Sequence, residues 1–237
     1  MNPLLTALAL TALAAGASAL AALPFAVRDP LPVRWLGWAN ALAGGLMLGL
    51  AYALLLSGLR GPQAPLAAAA LIGILFVGLT DRVSGSATDS GEPGAAYREL
   101  LGSSLHAAHE GVAIGAALAA DWRFGAFTAL AIAVHNVPES AELVAGLHAR
   151  GARLAVAAGL AVVADANQVL FAVVTLALTT AWPALQPWAA GFAVGALTHL
   201  VLVELLPASY REAGRTSIAL VTIAAMGAVT LLRNLVP

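Results

Sequence analysis

Residues 103–115 read SSLHAAHEGVAIG and residues 131–144 read AIAVHNVPESAELV. Each stretch is apolar enough to lie in a membrane, yet each carries histidine and glutamate at its middle. Ionisable groups inside a spanning segment are costly, so they face a bundle interior and mark a functional site. The acids Glu110, Glu139, Glu142 and Asp165 would together cost on the order of 10 kcal/mol if charged at the bilayer centre, at roughly 2.5–3.5 kcal/mol each. A bound cation would neutralise several of them at once. Protonation or a water-filled cavity would also lower the cost.

Composition supports lipid as the solvent around these stretches. Of 237 residues, 61% are hydrophobic and only 10% charged. A soluble domain carries roughly 25% charged residues. The net charge of -1 gives no reason to expect nucleic acid as a partner. The absence of cysteine excludes disulfides, thiolate metal sites and cysteine nucleophiles.

A spanning helix needs about 20 apolar residues. The chain is therefore expected to be an all-α polytopic membrane protein with about eight transmembrane helices, near 3–24, 35–59, 64–81, 98–120, 124–147, 152–180, 187–206 and 215–235. Their edges carry turn and stop residues: Pro30 and Pro32, Gly61-Pro62, the stretch from Ser84 to Gly94, Asp121, Gly151, Pro183 and Pro187, and Gly214. Residues 13–22 (LAAGASALAA) resemble the end of a signal peptide, but no basic residue precedes them, so the first span is expected to be a retained helix. The loop 82–97, rich in Ser and Gly, is expected to be flexible and cytoplasmic, and no soluble domain is expected.

Arginine supplies every basic residue and sets the expected orientation. With both termini outside, the inner loops hold Arg28, Arg34, Arg82, Arg98, Arg150, Arg153, Arg211 and Arg215, against Arg60, Arg123 and Arg233 outside. That asymmetry follows the positive-inside rule. Trp35, Trp38, Trp122, Trp182 and Trp188 fall near span ends and read as interfacial anchors.

Helical spacing brings the polar residues together. His106 and Glu110 are four apart and share a face, and His135 and Glu139 repeat that spacing 29 residues later. Glu142 continues the stripe by one turn. Two facing helices thus offer two imidazoles and two carboxylates, a donor set suited to zinc and similar first-row ions. A motif repeated in neighbouring antiparallel helices also fits an inverted-repeat transporter with a site near the midplane. Pro138 removes one backbone hydrogen bond and frees carbonyls near His135.

Plainer readings compete at several positions. His109 lies one turn from His106 but is displaced from Glu110, and reads equally as ligand or bystander. Asp165 is either a ligand or a group behind the ligands, or it pairs with Asn167 and Gln168 for packing. Met47 would ordinarily fill core space. His148, at a helix end, and His199 read as structural, and Glu204 is either on an exit path or merely solvated.

These residues resemble the ZIP (Zrt/Irt-like) family of divalent metal transporters, of prokaryotic type. His135-Asn136-Val137-Pro138-Glu139 is similar to that family's His-Asn-x-Pro-Glu-Gly motif, with Ser140 in place of the glycine. His106 to Gly111 keep its His, Glu and Gly, with Ala107 and His109 as departures. Residues 41–49 (ALAGGLMLG) and 195–207 (GALTHLVLVELLP) are also similar to family segments. The resemblance implies a 3+2+3 arrangement with an inverted pseudo-repeat, and uptake of Zn²⁺, or of Fe²⁺, Mn²⁺, Cd²⁺ or Co²⁺, across the inner membrane into the cytoplasm. It implies a main site of His106, Glu110, His135 and Glu139 with Met47 nearby. It implies a second site of Glu110, Asn136, Glu139 and a sixth-span acid, for which Asp165 is the candidate. Ala107 offers no side-chain ligand, which weakens that second site. His109 and Glu142 are positions that can retune the choice of metal. Self-association as a homodimer is a further expectation.

Two other classes remain open at this stage. An intramembrane zinc hydrolase would use the same ligands with an open water position, helped by Ser103, Ser104 and Asp165. The order His-x-x-His-Glu is not the His-Glu-x-x-His of zincin proteases. A proton-coupled carrier of organic ions would need a guanidinium or a broken-helix amide site at the midplane, and no arginine lies at mid-span.

Overall fold

The computed structural model describes residues 3–27, 32–84 and 94–235. Every regular element among them is helical. In order these are α1 (Pro3–Ala17), a 3₁₀ turn (Ser18–Ala22) and α2 (Leu23–Val27), then α3 (Val33–Gly58), α4 (Gln63–Ser84), α5 (Ala95–Ala120) and α6 (Trp122–Ala149). Next come α7 (Leu154–Ala164), α8 (Ala166–Ala181), a 3₁₀ turn (Pro183–Leu185), α9 (Gln186–Leu200), a π turn (Val201–Leu205), α10 (Leu206–Ala213) and α11 (Arg215–Leu235).

These pieces form eight rods among the described residues, since α7 continues into α8 and α9 into α10. Six stretches are long and apolar enough to cross a membrane: Leu4–Val27, Val33–Gly58, Gln63–Arg82, Leu154–Ala181, Pro183–Ala213 and Arg215–Arg233. The other two rods, α5 and α6, run 26 and 28 residues and hold the histidines and glutamates of the two motifs. The surface is apolar where a soluble protein would be polar. Leu75, Val163, Leu220, Ile223 and Leu231 are all exposed. The chain is a multi-pass membrane protein.

Several expected boundaries move. The third rod runs on to Ser84 and the fourth begins at Ala95, so only 85–93 of the expected flexible loop, like Arg28 and Pro30, lies outside the described residues. The sixth span is broken at Asp165 rather than continuous. The seventh does not stop at Pro207. A π turn precedes it, and proline in the first turn of α10 lacks only an N–H that would have no helical partner there. Asp121 starts α6 by accepting a hydrogen bond from Phe124 N at 2.9 Å. Gly151 (φ 92°) and Gly214 (φ 81°) make the tight turns into α7 and α11 in a left-handed conformation that suits glycine.

The rods pack in two groups. The α1–α2 rod, α5, α6 and the α7–α8 rod contact one another; in the second group α3 packs on the α9–α10 rod, α4 on α9 and α11 on α3. Small residues bring backbones close within each group. A Cβ at Gly115 of α5 would sit 2.6 Å from Thr175 Cβ of α8, and one at Gly49 of α3 would sit 2.6 Å from Val229 Cβ of α11. The groups meet chiefly where α3 lies on α6 and α5 on α9. An apolar cluster fills part of that seam, with Met47, Leu50 and Leu54 of α3, Ile114 of α5, Ile132 of α6 and Leu197 and Leu200 of α9 all fully buried.

Candidate metal centre

The i, i+4 spacing on α5 and α6 delivers the geometry it promises. One ligand atom from each of His106, Glu110, His135 and Glu139 lies within 4.8 Å of every other. His135 Nε2 is 2.8 Å from Glu139 Oε2 and 3.1 Å from Glu110 Oε1, and His106 Nε2 is 3.5 Å from Glu139 Oε1. Two anionic and two nitrogen donors held this close can hold a metal ion, and the donor set matches zinc-type chemistry. Burial is graded across the cluster. The His135 and Glu110 side chains are 0% and 1% exposed, His106 14% and Glu139 20%. Glu142, one turn beyond Glu139, is exposed.

A polar network fixes the deep side. Asn136 Nδ2 donates to Ala14 O (3.1 Å) and to Gln168 Oε1 (3.2 Å), and Gln168 Nε2 donates to Glu110 Oε2 (3.3 Å). Three rods of one group thereby orient one carboxylate. Asn136 Oδ1 is buried without a hydrogen-bond partner. In a membrane interior such an acceptor is expensive, and a cation would satisfy it.

The other expected ligands stand outside the four-residue cluster. Asp165 accepts a hydrogen bond from Ser18 Oγ, joining the break in the sixth span to the 3₁₀ turn in the first. Glu142 accepts from Asn40 Nδ2 of α3 at 2.5 Å, across the seam between the groups. Met47 is fully buried in the apolar seam cluster. His109 is buried, with its ring centroid 4.7 Å from that of His106. His199 Nε2 lies 3.8 Å from Asp81 Oδ2, and Asp81 in turn hydrogen-bonds Glu204, so His199 belongs to a separate acidic pair. His148 Nδ1 is 2.8 Å from Ala152 O at the end of α6. Ser104 Oγ accepts from Asn167 Nδ2 at 2.7 Å. Of the suggested hydrolytic helpers, Ser104 and Asp165 are thus engaged in joining helices.

Sequence reasoning did not single out Asn40 or Ser18, and read Gln168 only as a packing partner. Asn40 carried a signal, as the one amide in an otherwise apolar span. Ser18 carried none, because its importance follows from a break in the first rod that composition does not mark.

Fold and site together define a multi-pass helical membrane protein built around a buried His₂Glu₂ cluster. No family model matches the chain. It is 30% identical over 231 residues to a candidate zinc transporter of Arabidopsis thaliana, covering 92% of this chain and 37% of that protein. It is 32% identical over 114 residues to zinc transporter ZIP4 of Homo sapiens, covering 47% of this chain and 17% of that one. The chain thus spans little more than a third of the first relative's length. Both relatives are named as zinc transporters, one of them ZIP4.

Proposed function

We propose that the chain carries divalent metal ions, Zn²⁺ foremost, across a membrane into the cytoplasm by alternating access. The observation that carries this reading is the four-residue cluster, in which two imidazoles and two carboxylates converge within 4.8 Å at mid-bundle. The two relatives, both named as zinc transporters, support the substrate.

In this reading His106, Glu110, His135 and Glu139 bind the ion. Asn136, through its unpartnered oxygen, and Asp165, across the same group of helices, serve a neighbouring position. Two glutamates balance the charge of one divalent ion, so the loaded site is nearly neutral in a low-dielectric setting. Binding expels protons from any protonated ligand.

The packing supports a movement of one helix group against the other. All four cluster residues and the Asn136–Gln168–Glu110 network sit within a single group, so that group can move without disturbing the site. Contacts also come in matching pairs under exchange of rods one to three with six to eight, and of four with five. The α4–α9 contact is matched by α11–α3, α5–α8 by α6–α1, and α5–α9 by α6–α3. That pattern supports an inverted repeat, the usual basis of alternating access.

Exposure supports a direction. It rises from Glu110 through Glu139 to Glu142, toward the end bearing Arg150 and Arg153, which the arginine asymmetry assigns to the cytoplasm. On the opposite side Ile114, one turn beyond Glu110, and Ile132, one turn before His135, are fully buried in the apolar seam cluster. We read this conformation as the one that releases metal inward.

The test is uptake of radioactive zinc into proteoliposomes holding the purified chain, with cobalt, manganese and iron as competitors. Saturable accumulation that requires Glu139 supports a carrier. Tight zinc binding with no flux into the lumen rejects the transport reading.

A further inference from the structure

The buried imidazole of His109 has no role in the four-residue cluster, and its environment is that of a metal ligand. His109 is 2% exposed, and its Nε2 is buried without a hydrogen-bond partner. The ring is held by a hydrogen bond to the backbone of Leu105, one turn back on α5. A metal-binding histidine almost always donates its other ring N–H to a carbonyl or carboxylate, which fixes the tautomer and leaves the free lone pair for the ion. Leaving such a nitrogen unsatisfied is unfavourable, and coordination would satisfy it.

Position points the same way. The His106 ring lies between the other two, 4.7 Å by centroid from His109 and 6.4 Å from His135, and it is nearly parallel to the latter at 18°. Three imidazoles thus run side by side from α5 to α6. On α5, His109 shares a stripe with Ala113 and Ala116, which lie in the apolar seam cluster facing α9. It therefore adjoins both the ligand cluster and the seam along which the two helix groups meet.

Resting on the reading of the cluster as the transport site, we infer that His109, beside His106, is a third imidazole ligand of the transported ion and biases the site toward zinc over manganese. Imidazole suits zinc, copper, iron and nickel, whereas carboxylate and water suit manganese. A site with three nitrogens and two carboxylates favours the first group more strongly than one with two of each.

The deciding experiment is X-ray absorption at the zinc edge on the full chain in detergent, loaded with less than one equivalent of zinc. Outer-shell scattering from imidazole carbons counts the histidines bound. Three are expected in the wild type, and two in both His109→Gln and His109→Leu. Competition titrations should show zinc affinity falling about tenfold or more in those variants, with manganese affinity changing by no more than a factor of about two. Two imidazoles in the wild-type spectrum would overturn the inference, as would equal losses of zinc and manganese affinity. The wild-type count decides the matter even if neither variant folds. Zinc bound by two imidazoles in a Glu139-dependent manner would refute this assignment and leave the transport reading standing. Wild-type zinc binding that is independent of Glu139 would remove both.

Discussion

Replacing Glu110 by glutamine changes almost nothing in shape and removes one negative charge from the most enclosed part of the cluster. Glu110 is 1% exposed, lies 3.1 Å from His135 and is held by Gln168. With both glutamates present, a divalent ion is neutralised; with Glu110→Gln a net positive charge stays buried. Breaking a buried ion pair by removing one partner costs about 3–5 kcal/mol, which corresponds to a loss of roughly 10²–10³-fold or somewhat more in affinity. Glu139 is 20% exposed, so water can screen the same imbalance there. Glu139→Gln should therefore be harmful but less so than Glu110→Gln. His148→Ala, at the far end of α6, should bind zinc like the wild type. The assay is competition for zinc against a chromogenic chelator in detergent, followed by uptake in proteoliposomes. Zinc affinity in Glu110→Gln within about threefold of the wild type would refute the reasoning. So would a larger loss in Glu139→Gln than in Glu110→Gln, because burial would then not govern the charge balance.

Acidification should slow zinc uptake. Imidazole and carboxylate must be deprotonated to bind metal, so protons compete for the same lone pairs and initial rates at fixed free zinc should fall as pH falls. Gly115→Val would drive a side chain into Thr175 and Ala172 of α8 and should destabilise the chain by about 1–3 kcal/mol, seen as a lower Tm in detergent. Gly159→Ala, where a Cβ meets nothing within 4 Å, should leave Tm unchanged or raise it slightly. Asn136→Leu removes two interhelical hydrogen bonds worth about 0.6 kcal/mol each, so Tm should fall modestly. If Asn136 Oδ1 serves the ion, zinc uptake should drop by far more than that stability change explains.

The fold was legible in the sequence where lipid imposes it. A segment in hydrocarbon must satisfy its own backbone, so long apolar runs become helices and Asp121, Gly151 and Gly214 mark their ends. What escaped was the interior of the rods. The break at Asp165 and the 3₁₀ turn at Ser18 are joined to each other by a side-chain hydrogen bond, and such tertiary compensation leaves no trace in periodicity. The run past Pro207 escaped for a similar reason, because a π turn just before the proline absorbs what would otherwise end the helix.

The site was legible in proportion to how local its geometry is. His106 with Glu110 and His135 with Glu139 are intrahelical pairs, so spacing alone put each pair on one face. The remaining expected ligands depend on how separate rods sit. Glu142 continues the stripe of Glu139, yet it meets Asn40 of the other helix group. Asp165 is drawn to Ser18. Gln168, read as packing, instead positions Glu110. The same residues explain why α5 and α6 are less apolar than the six long apolar stretches: histidine, asparagine and glutamate take the place of hydrocarbon side chains at mid-rod. In our reading α5 and α6 cross the bilayer among the other rods, with pairing and a cation offsetting their charge.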